Sequence, residues 1–287
     1  MYKGVIPVLH APFFDNGELD FNSLRREVDI VIEDGACAMM LFGYATEFLY
    51  LSKAERDAMV EAAVQSARGR VPVIASVTEL DAADVGETAA LFERLGADAV
   101  MLLPRKKEGA FFDYKKYFSK AAEGTLLPLF LQYAPHMTGV TLTADEIVKI
   151  SCGRLTGVKS EVGFDFITEL INASQGGISV YVGNQGAGMV DALALGAAGV
   201  MPGSSRVYTY KKIYDAFFSG GGKEAAALYE KFAPYLNLFH NRYEMYFEKK
   251  VLAERGIFTT AFCRMQIEKP DAEAEVAFEK AQKSVGF

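Results

Sequence analysis

A closed (β/α)8 TIM barrel with a C-terminal helical extension, an α/β architecture, is the fold this chain predicts, and three observations predict it. Short apolar runs alternate with longer stretches of helical periodicity, the alternation repeats eight times, and the helical pattern continues alone after the last repeat. Strands buried on both faces and separated by helices make a parallel sheet, and eight such units favour a closed barrel over an open one. The length of 287 residues suits one barrel of roughly 250 residues with an appendage. The competing fold is a doubly wound sheet, but no G-x-G-x-x-G follows the first strand.

The elements follow in order. GVIPVLH leads into FNSLRREVDIVIED, where Leu24, Val28, Ile30 and Val31 recur at roughly helical spacing. ACAMMLFG leads into SKAERDAMVEAAVQSA. VPVIASV, DAVMLLP, LPLFLQY, RLTGVK, ISVYVG and AGVMPG come next, each ahead of a candidate helix. From GKEAAALYEKFAPYLNLFHNRYEMYFEKKVLAERG to DAEAEVAFEKAQKSVGF only helices are expected. The expected division is a barrel over residues 1–220 that carries the active site and a helical extension over 221–287, joined at SGGGK.

Composition narrows the partner. A formal charge of −7, without a clustered basic stretch to match it, argues against nucleic acid and for a small molecule. Cys37, Cys152 and Cys263 lie far apart without metal-ligand spacing, which suits a reduced cytosol and implies neither a disulfide framework nor a metal. No apolar run approaches the ~18 residues of a membrane span, and the N-terminus lacks a signal-peptide pattern. A cytoplasmic enzyme that needs no cofactor and touches no membrane is the expectation.

Barrels place their chemistry where each strand stops, so eight short segments deserve inspection. Lys159 ends the sixth strand in LTGVKSEVG. Apolar surroundings disfavour an ammonium and favour the neutral amine, which attacks a carbonyl to give a Schiff base; the bland alternative is a lysine that leaves the strand for solvent or pairs with Glu161. Tyr133 ends the fifth strand, within reach of an imine as a proton donor and acceptor, or else serves as an ordinary barrel tyrosine bonded to backbone. Glu161, two residues past the lysine, shares its strand face and is a candidate second acid or base.

Other strand ends carry weaker signals. Gly43, Tyr44, Ala45, Thr46 and Glu47 follow the second strand, where a glycine turn lets consecutive N–H groups face one anion. Gly183, Gly186 and Gly188 make a second glycine-rich rim suited to phosphate or carboxylate. Arg105, Lys106 and Lys107 follow the fourth strand, either as an anion contact or as a solvated charge run. His10 and His136 stand after the first and fifth strands as possible titrating groups or ordinary polar residues.

Taken together, these segments resemble the dihydrodipicolinate synthase and N-acetylneuraminate lyase family of Schiff-base lyases. GVIPVLHAPFFDNGELD is similar to the family's opening strand and turn, GYATEFLYLSKAER to its G-[TS]-T-G-E-x-x-x-L-x-x-x-E-R segment, GVKS to its lysine motif and LGAAGVMPG to its L-G-A-x-G-x-I-S ending. The resemblance implies that Lys159 forms the imine, that Tyr133 shuttles protons, and that the backbone of Tyr44 and Ala45 cradles the carboxylate of a 2-oxo acid. Gly183 and Met201 would border the same pocket, with Thr46 and Glu161 as further substrate contacts. It also implies a homo-oligomer, a dimer or tetramer.

The departures from the family are specific. Tyr44 and Ala45 stand where it has two small hydroxyl residues, and Thr46 where it has glycine. The tyrosine motif reads YAPHMTG, one residue short, and a shifted register would aim Gln132 at the pocket in place of Tyr133, leaving part of the proton work to a Tyr44 phenol. Met137 stands where an arginine belongs, and Arg105 and Lys106 replace a tyrosine pair; a methionine cannot pair with the carboxylate of aspartate semialdehyde. The GYATEFLYLSKAER loop and the KKVLAERG helix are instead similar to members that dehydrate or cleave 2-keto-3-deoxy sugar acids. The expected activity is a Schiff-base lyase acting on a 2-oxo acid by aldol cleavage, condensation or dehydration, the alternatives being a dihydrodipicolinate synthase proper or a barrel that only binds a ligand.

Overall fold

The computed structural model describes residues 2–106, 112–151, 153–238 and 243–285. Lys107 and Cys152 lie outside the described residues. The chain runs β1 (Gly4–Val5), α1 (Phe21–Glu33), β2 (Met39–Leu41), α2 (Lys53–Ala67), β3 (Val73–Val77), α3 (Ala82–Arg94), β4 (Ala99–Leu102), α4 (Tyr114–Gly124), β5 (Leu129–Tyr133), α5 (Pro135–Thr138) and α6 (Ala144–Ile150). It continues as β6 (Leu155–Ser160), α7 (Phe164–Ala173), β7 (Ser179–Val182), α8 (Met189–Ala194), β8 (Gly199–Val200), α9 (Val207–Gly220), α10 (Gly222–Leu238), α11 (Glu244–Glu254) and α12 (Ala272–Val285). All eight expected strands are present.

The strands pair in parallel in the order β1-β8-β7-β6-β5-β4-β3-β2. Val8 closes the ring, because it bridges both Met40 and Gly203. Around it the Met40 N–H donates to Pro7 O at 2.8 Å and the Leu9 N–H to Met40 O at 2.8 Å, so among the described residues no strand edge is left unpaired. The sheet is the closed barrel that the repeat count requires.

Strand alternation sorts side chains into two apolar layers. Ile6, Val8, Met40, Ile74, Met101, Phe130, Tyr181 and Met201 fill the interior, whereas Val5, Leu41, Val100, Leu131, Val158 and Val180 face the helices. Gly157 shows how tightly the interior is filled. A Cβ there would lie 2.3 Å from the Phe130 ring and 3.1 Å from Tyr181, so a glycine is what lets these two aromatics cross the barrel below Lys159.

Local signals start the helices. Asp20 caps α1 by accepting the N–H groups of Asn22 and Ser23, each at 3.0 Å. Ser52 and Glu55 form a reciprocal capping box on α2, and Thr143 and Glu146 form another on α6. Each such cap typically stabilises its helix by ~1 kcal/mol.

The later helices are fastened to one another by aromatic contacts and to the barrel by a charged one. Phe247 of α11 stacks on Phe278 of α12, with ring centroids 4.1 Å apart, and Tyr235 of α10 meets Phe278 at 5.8 Å. Lys249 of α11 makes a fully buried ion pair with Glu47, just beyond β2. The extension is thus wired into a loop at the strands' C-terminal ends. Among the described residues no helix is long and apolar enough to cross a membrane.

Candidate active site

Lys159 occupies the next-to-last position of β6, opposite Gln132 of β5 and Tyr181 of β7. It shares the inward face with Gly157, two residues earlier, and stands just above the Phe130 and Tyr181 rings. The Glu161 N–H donates to Tyr133 O at 2.9 Å, which prolongs the strand geometry past its last paired residue. Glu161 therefore returns to the face of Lys159, and its Oε1 lies 2.8 Å from Nζ. Both side chains are only 7% exposed, so the pair is enclosed but not sealed.

Glu161 is held from several sides. The Asn184 N–H donates to its Oε2, the Asn184 side-chain amide to its backbone carbonyl at 3.3 Å, and Gln132 Nε2 to its Oε1 at 3.4 Å. Gly183 lies directly behind the carboxylate. A Cβ at that position would fall 2.2 Å from Glu161 Cδ, so the glycine makes the space in which the carboxylate sits.

A cavity of about 110 Å³ opens over this pair. It is smaller than the ~300 Å³ lower bound of drug-sized pockets and suits the head of a small acid. Lys159, Glu161, Gln132, Tyr44, Ala45 and Met201 line it, joined by Val8, Met137, Asn184, Gln185, Pro202, Gly203 and Glu244. Tyr44 and Ala45 open the short 3-10 turn Tyr44–Thr46, whose first backbone bond runs from the Thr46 N–H to Gly43 O at 2.9 Å. The N–H groups of a turn's first residues lack partners within the turn. Burial raises the Tyr44 phenol above its ordinary value, with Arg105 pulling down and Glu161 pushing up, so this hydroxyl keeps its proton at neutral pH.

Three expected residues stand outside the cavity lining. Tyr133 pairs with Ser160 rather than Lys159 and points to the helix layer, where it stacks on Phe166 at 4.4 Å. Its hydroxyl donates to Leu142 O at 2.6 Å and accepts the Leu142 N–H at 3.2 Å. Successive strand residues face opposite sides, and here the inward side belongs to Gln132. Thr46 is also withdrawn from the pocket: it is fully buried, donates to Leu9 O at 2.6 Å and accepts the Phe42 N–H at 3.0 Å. Gly183 supports Glu161 from behind rather than lining the cavity.

The remaining strand-end candidates divide similarly. Arg105 donates to Thr78 O at 2.7 Å and lies 5.0 Å over the Phe48 ring. Lys106 and His136 are exposed. Gly186 and Gly188 have left-handed φ values of 71° and 68°, which L side chains rarely adopt, so their place in the rim is conformational.

Glu244 and Gln185 on the cavity wall lead into a buried polar cluster that the strand ends alone did not announce. Glu244, the first residue of α11, accepts Gln185 Nε2 at 2.8 Å, and Gln185 Oε1 accepts the Gly203 N–H at 2.7 Å. One turn on, Glu248 accepts the Ser205 N–H at 3.2 Å and faces His10 Nε2 at 3.6 Å. Ser204 gives its single hydroxyl proton to Glu27 at 2.5 Å, so His10 Nδ1, 2.9 Å from the same oxygen, is the donor in that contact. Burial raises both Glu244 and Glu248 above the ordinary carboxylate value. For Glu244, Glu161 adds to the rise while Gln185, Lys159 and His10 oppose it.

The profile of the dihydrodipicolinate synthetase family matches residues 1–284, nearly the whole chain. The chain belongs to that family. Dihydrodipicolinate synthetase family members are Schiff-base lyases acting on pyruvate. One relative, the L-2-keto-3-deoxyarabonate dehydratase of Azospirillum brasilense, is 24% identical over 96% of this chain and 92% of its own length. The 4-hydroxy-tetrahydrodipicolinate synthase of Enterococcus faecalis is 27% identical over 81% of this chain and 82% of its own. Among solved structures, a dihydrodipicolinate synthase superposes with a TM-score of 0.91 at 25% identity, covering 99% of each chain. One from Bacillus anthracis reaches 0.92 at 23% identity, over 100% of this chain and 99% of its own, a likeness of fold.

Proposed function

We propose that the chain is a class I lyase in which Lys159 forms an imine with the ketone of a 2-oxo acid, a 2-keto-3-deoxy sugar acid by preference. The observation that carries this reading is the enclosed Lys159–Glu161 pair at 2.8 Å, at the C-terminal end of β6 and on the wall of a small cavity. Only a neutral amine attacks a carbonyl, and Glu161 is placed to take the Nζ proton and return it to the carbinolamine hydroxyl as that leaves. With the imine in place, the same carboxylate is the nearest base to the substrate's C3. In this reading the backbone N–H groups of Tyr44 and Ala45, two residues that line the cavity, cradle the carboxylate, and the Tyr44 hydroxyl donates a further hydrogen bond.

Met137 weighs against a dihydrodipicolinate synthase proper, because it lines the cavity and carries no charge with which to hold a second carboxylate. The match to a keto-deoxy sugar acid dehydratase along 96% of the chain supports the sugar-acid reading. A homo-oligomer, dimer or tetramer, belongs to the same proposal and is checked by light scattering. The decisive test is incubation with pyruvate, reduction with borohydride and peptide mapping. The expected mass gain falls on the Lys159 peptide and is lost in Lys159→Ala; a gain on any other lysine would falsify the assignment.

A further inference from the structure

We infer that Glu244, supplied by the helical extension, is the catalytic acid that protonates the hydroxyl leaving C4 of the bound substrate. The inference rests on the Schiff-base reading above and assigns it a direction: dehydration rather than retro-aldol cleavage.

Three features of the site carry it. Glu244 is on the cavity wall with Lys159 and Glu161, so it faces the same small volume as the imine. Gln185 fixes its orientation through Oε1 at 2.8 Å and is itself fixed by the Gly203 N–H, so the carboxyl is aimed rather than free. The third feature is the charge around it. Glu161 faces it from the end of β6 and Glu248 from the next turn of α11; Lys159 and His10 oppose them, and Tyr210 of α9 lies close enough to feel its charge. Neighbouring carboxylates in a site of low dielectric push a carboxyl toward its protonated form. Burial moves Glu244 in that direction as well.

The two reactions open to the imine need opposite groups at C4. Retro-aldol cleavage requires a base to remove the C4 hydroxyl proton, whereas dehydration requires an acid to give that hydroxyl a proton. The residue that faces the cavity from β5 beside Lys159 is Gln132, which is neither. Glu161 is the base next to the lysine, and Glu244, on the same cavity wall and shifted by burial toward its protonated form, is the group suited to give a proton. In the first step the C3–H bond breaks, its proton goes to Glu161 and its electron pair forms the enamine. In the second the C4–O bond breaks, the pair leaves on oxygen, and that oxygen takes the Glu244 proton and departs as water. The unsaturated imine is then hydrolysed, Glu161 gives up to solvent the proton it took from C3, and Glu244 regains one from solvent; nothing is oxidised or reduced overall.

The test compares the wild type with Glu244→Gln, whose amide oxygen can still accept the Gln185 hydrogen bond. Three probes are used: borohydride trapping of pyruvate, deuterium uptake at C3 of pyruvate in deuterated water, and turnover of C5 and C6 2-keto-3-deoxy acids beside their 4-fluoro analogues. Fluoride leaves without needing a full proton transfer. The expected result is trapping and C3 exchange within threefold of wild type, dehydration of the hydroxy acids reduced ~100-fold or more, and the 4-fluoro acids eliminated at near wild-type rate. Dehydration retained in Glu244→Gln overturns the assignment, and so does a loss that extends to trapping and to the fluoro analogues, because it marks a structural role. A wild type that releases pyruvate from these acids, or dehydrates none of them, overturns it too. A wild type that traps no pyruvate overturns the imine reading itself, a separate failure.

Discussion

Gln132 and Lys159 stand directly opposite each other on β5 and β6, while Tyr133, one residue on, is turned through the sheet to bond Leu142. This one-residue relationship separates two variants that would otherwise look alike. Tyr133→Phe removes a hydroxyl that both donates to and accepts from a buried backbone, so it should cost about 1–3 kcal/mol of stability in urea denaturation. Turnover of the folded protein should stay within threefold. Gln132→Leu removes the contact to Glu161 and should lower kcat ~10-fold with little change in stability. A large loss of kcat in Tyr133→Phe at unchanged stability would show that the phenol reaches the substrate after all.

Gly183→Ala probes the space behind Glu161. The added methyl would lie 2.2 Å from the carboxyl carbon, so the carboxylate must move away from Lys159. A displacement of about 1 Å is enough to cost ~100-fold in rate. Single-turnover trapping of pyruvate should slow by that order while the circular dichroism spectrum is kept. Unchanged trapping would mean that Glu161 is not the group that activates the amine.

What the sequence made legible follows from which forces act locally. Eight runs such as VPVIASV and LPLFLQY are apolar because both faces are buried, and that pattern survives in one dimension. Lys159 was legible because a charge at the end of an apolar run is itself the anomaly. Tyr133 and Gln132 were not separable, since a slip of one residue exchanges the two faces of a strand and both residues are polar enough for a pocket. Thr46 matched a binding loop by position, but its hydroxyl is consumed by Leu9 O and the Phe42 N–H. Glu244 was invisible because its role depends on where α11 docks. The available hint was the pair of glutamates four residues apart, Glu244 and Glu248, in a segment whose other residues include the buried Met245 and Phe247.

The clamp between Arg264 and Glu55 predicts a pH dependence. Arg264 reaches both Glu55 oxygens, at 2.5 and 3.0 Å, and also holds Tyr50 O and Gly17 O. The Arg264 hydrogen bond is the main cause that brings Glu55 down from 4.5 to about 2. Because the folded value lies below the unfolded one, the contribution is complete above about pH 4.5 and fades as pH falls toward 2. Thermal melts of wild type and Glu55→Gln should therefore differ by a constant amount above pH 5 and converge toward pH 2. Curves separated by the same interval across this range would refute the clamp.

The buried pair of Lys249 and Glu47 couples the helical extension to the loop that carries Tyr44 and Ala45. Both side chains are fully buried, and Glu47 also accepts the Met265 N–H at 2.7 Å, while Lys249 donates to Phe262 O at 2.9 Å and lies 4.6 Å over the Phe13 ring. Glu47 itself ends the 3-10 turn in a left-handed conformation, φ 53°, so its side-chain contacts hold a strained residue in place. Lys249→Met leaves a carboxylate buried without its cation and should cost about 3–5 kcal/mol. Adding Glu47→Leu removes that stranded charge, so the double variant should be more stable than Lys249→Met alone, although the Met265 N–H then loses its acceptor. Urea denaturation of the two single variants and the double gives the coupling directly. On the function proposed above the turn cradles the substrate carboxylate, so the KM for the 2-oxo acid should rise in Lys249→Met under conditions where the protein stays folded. A single variant that costs less than about 1 kcal/mol would mean the pair contributes no more than a surface contact, and would detach the extension from the geometry of the pocket.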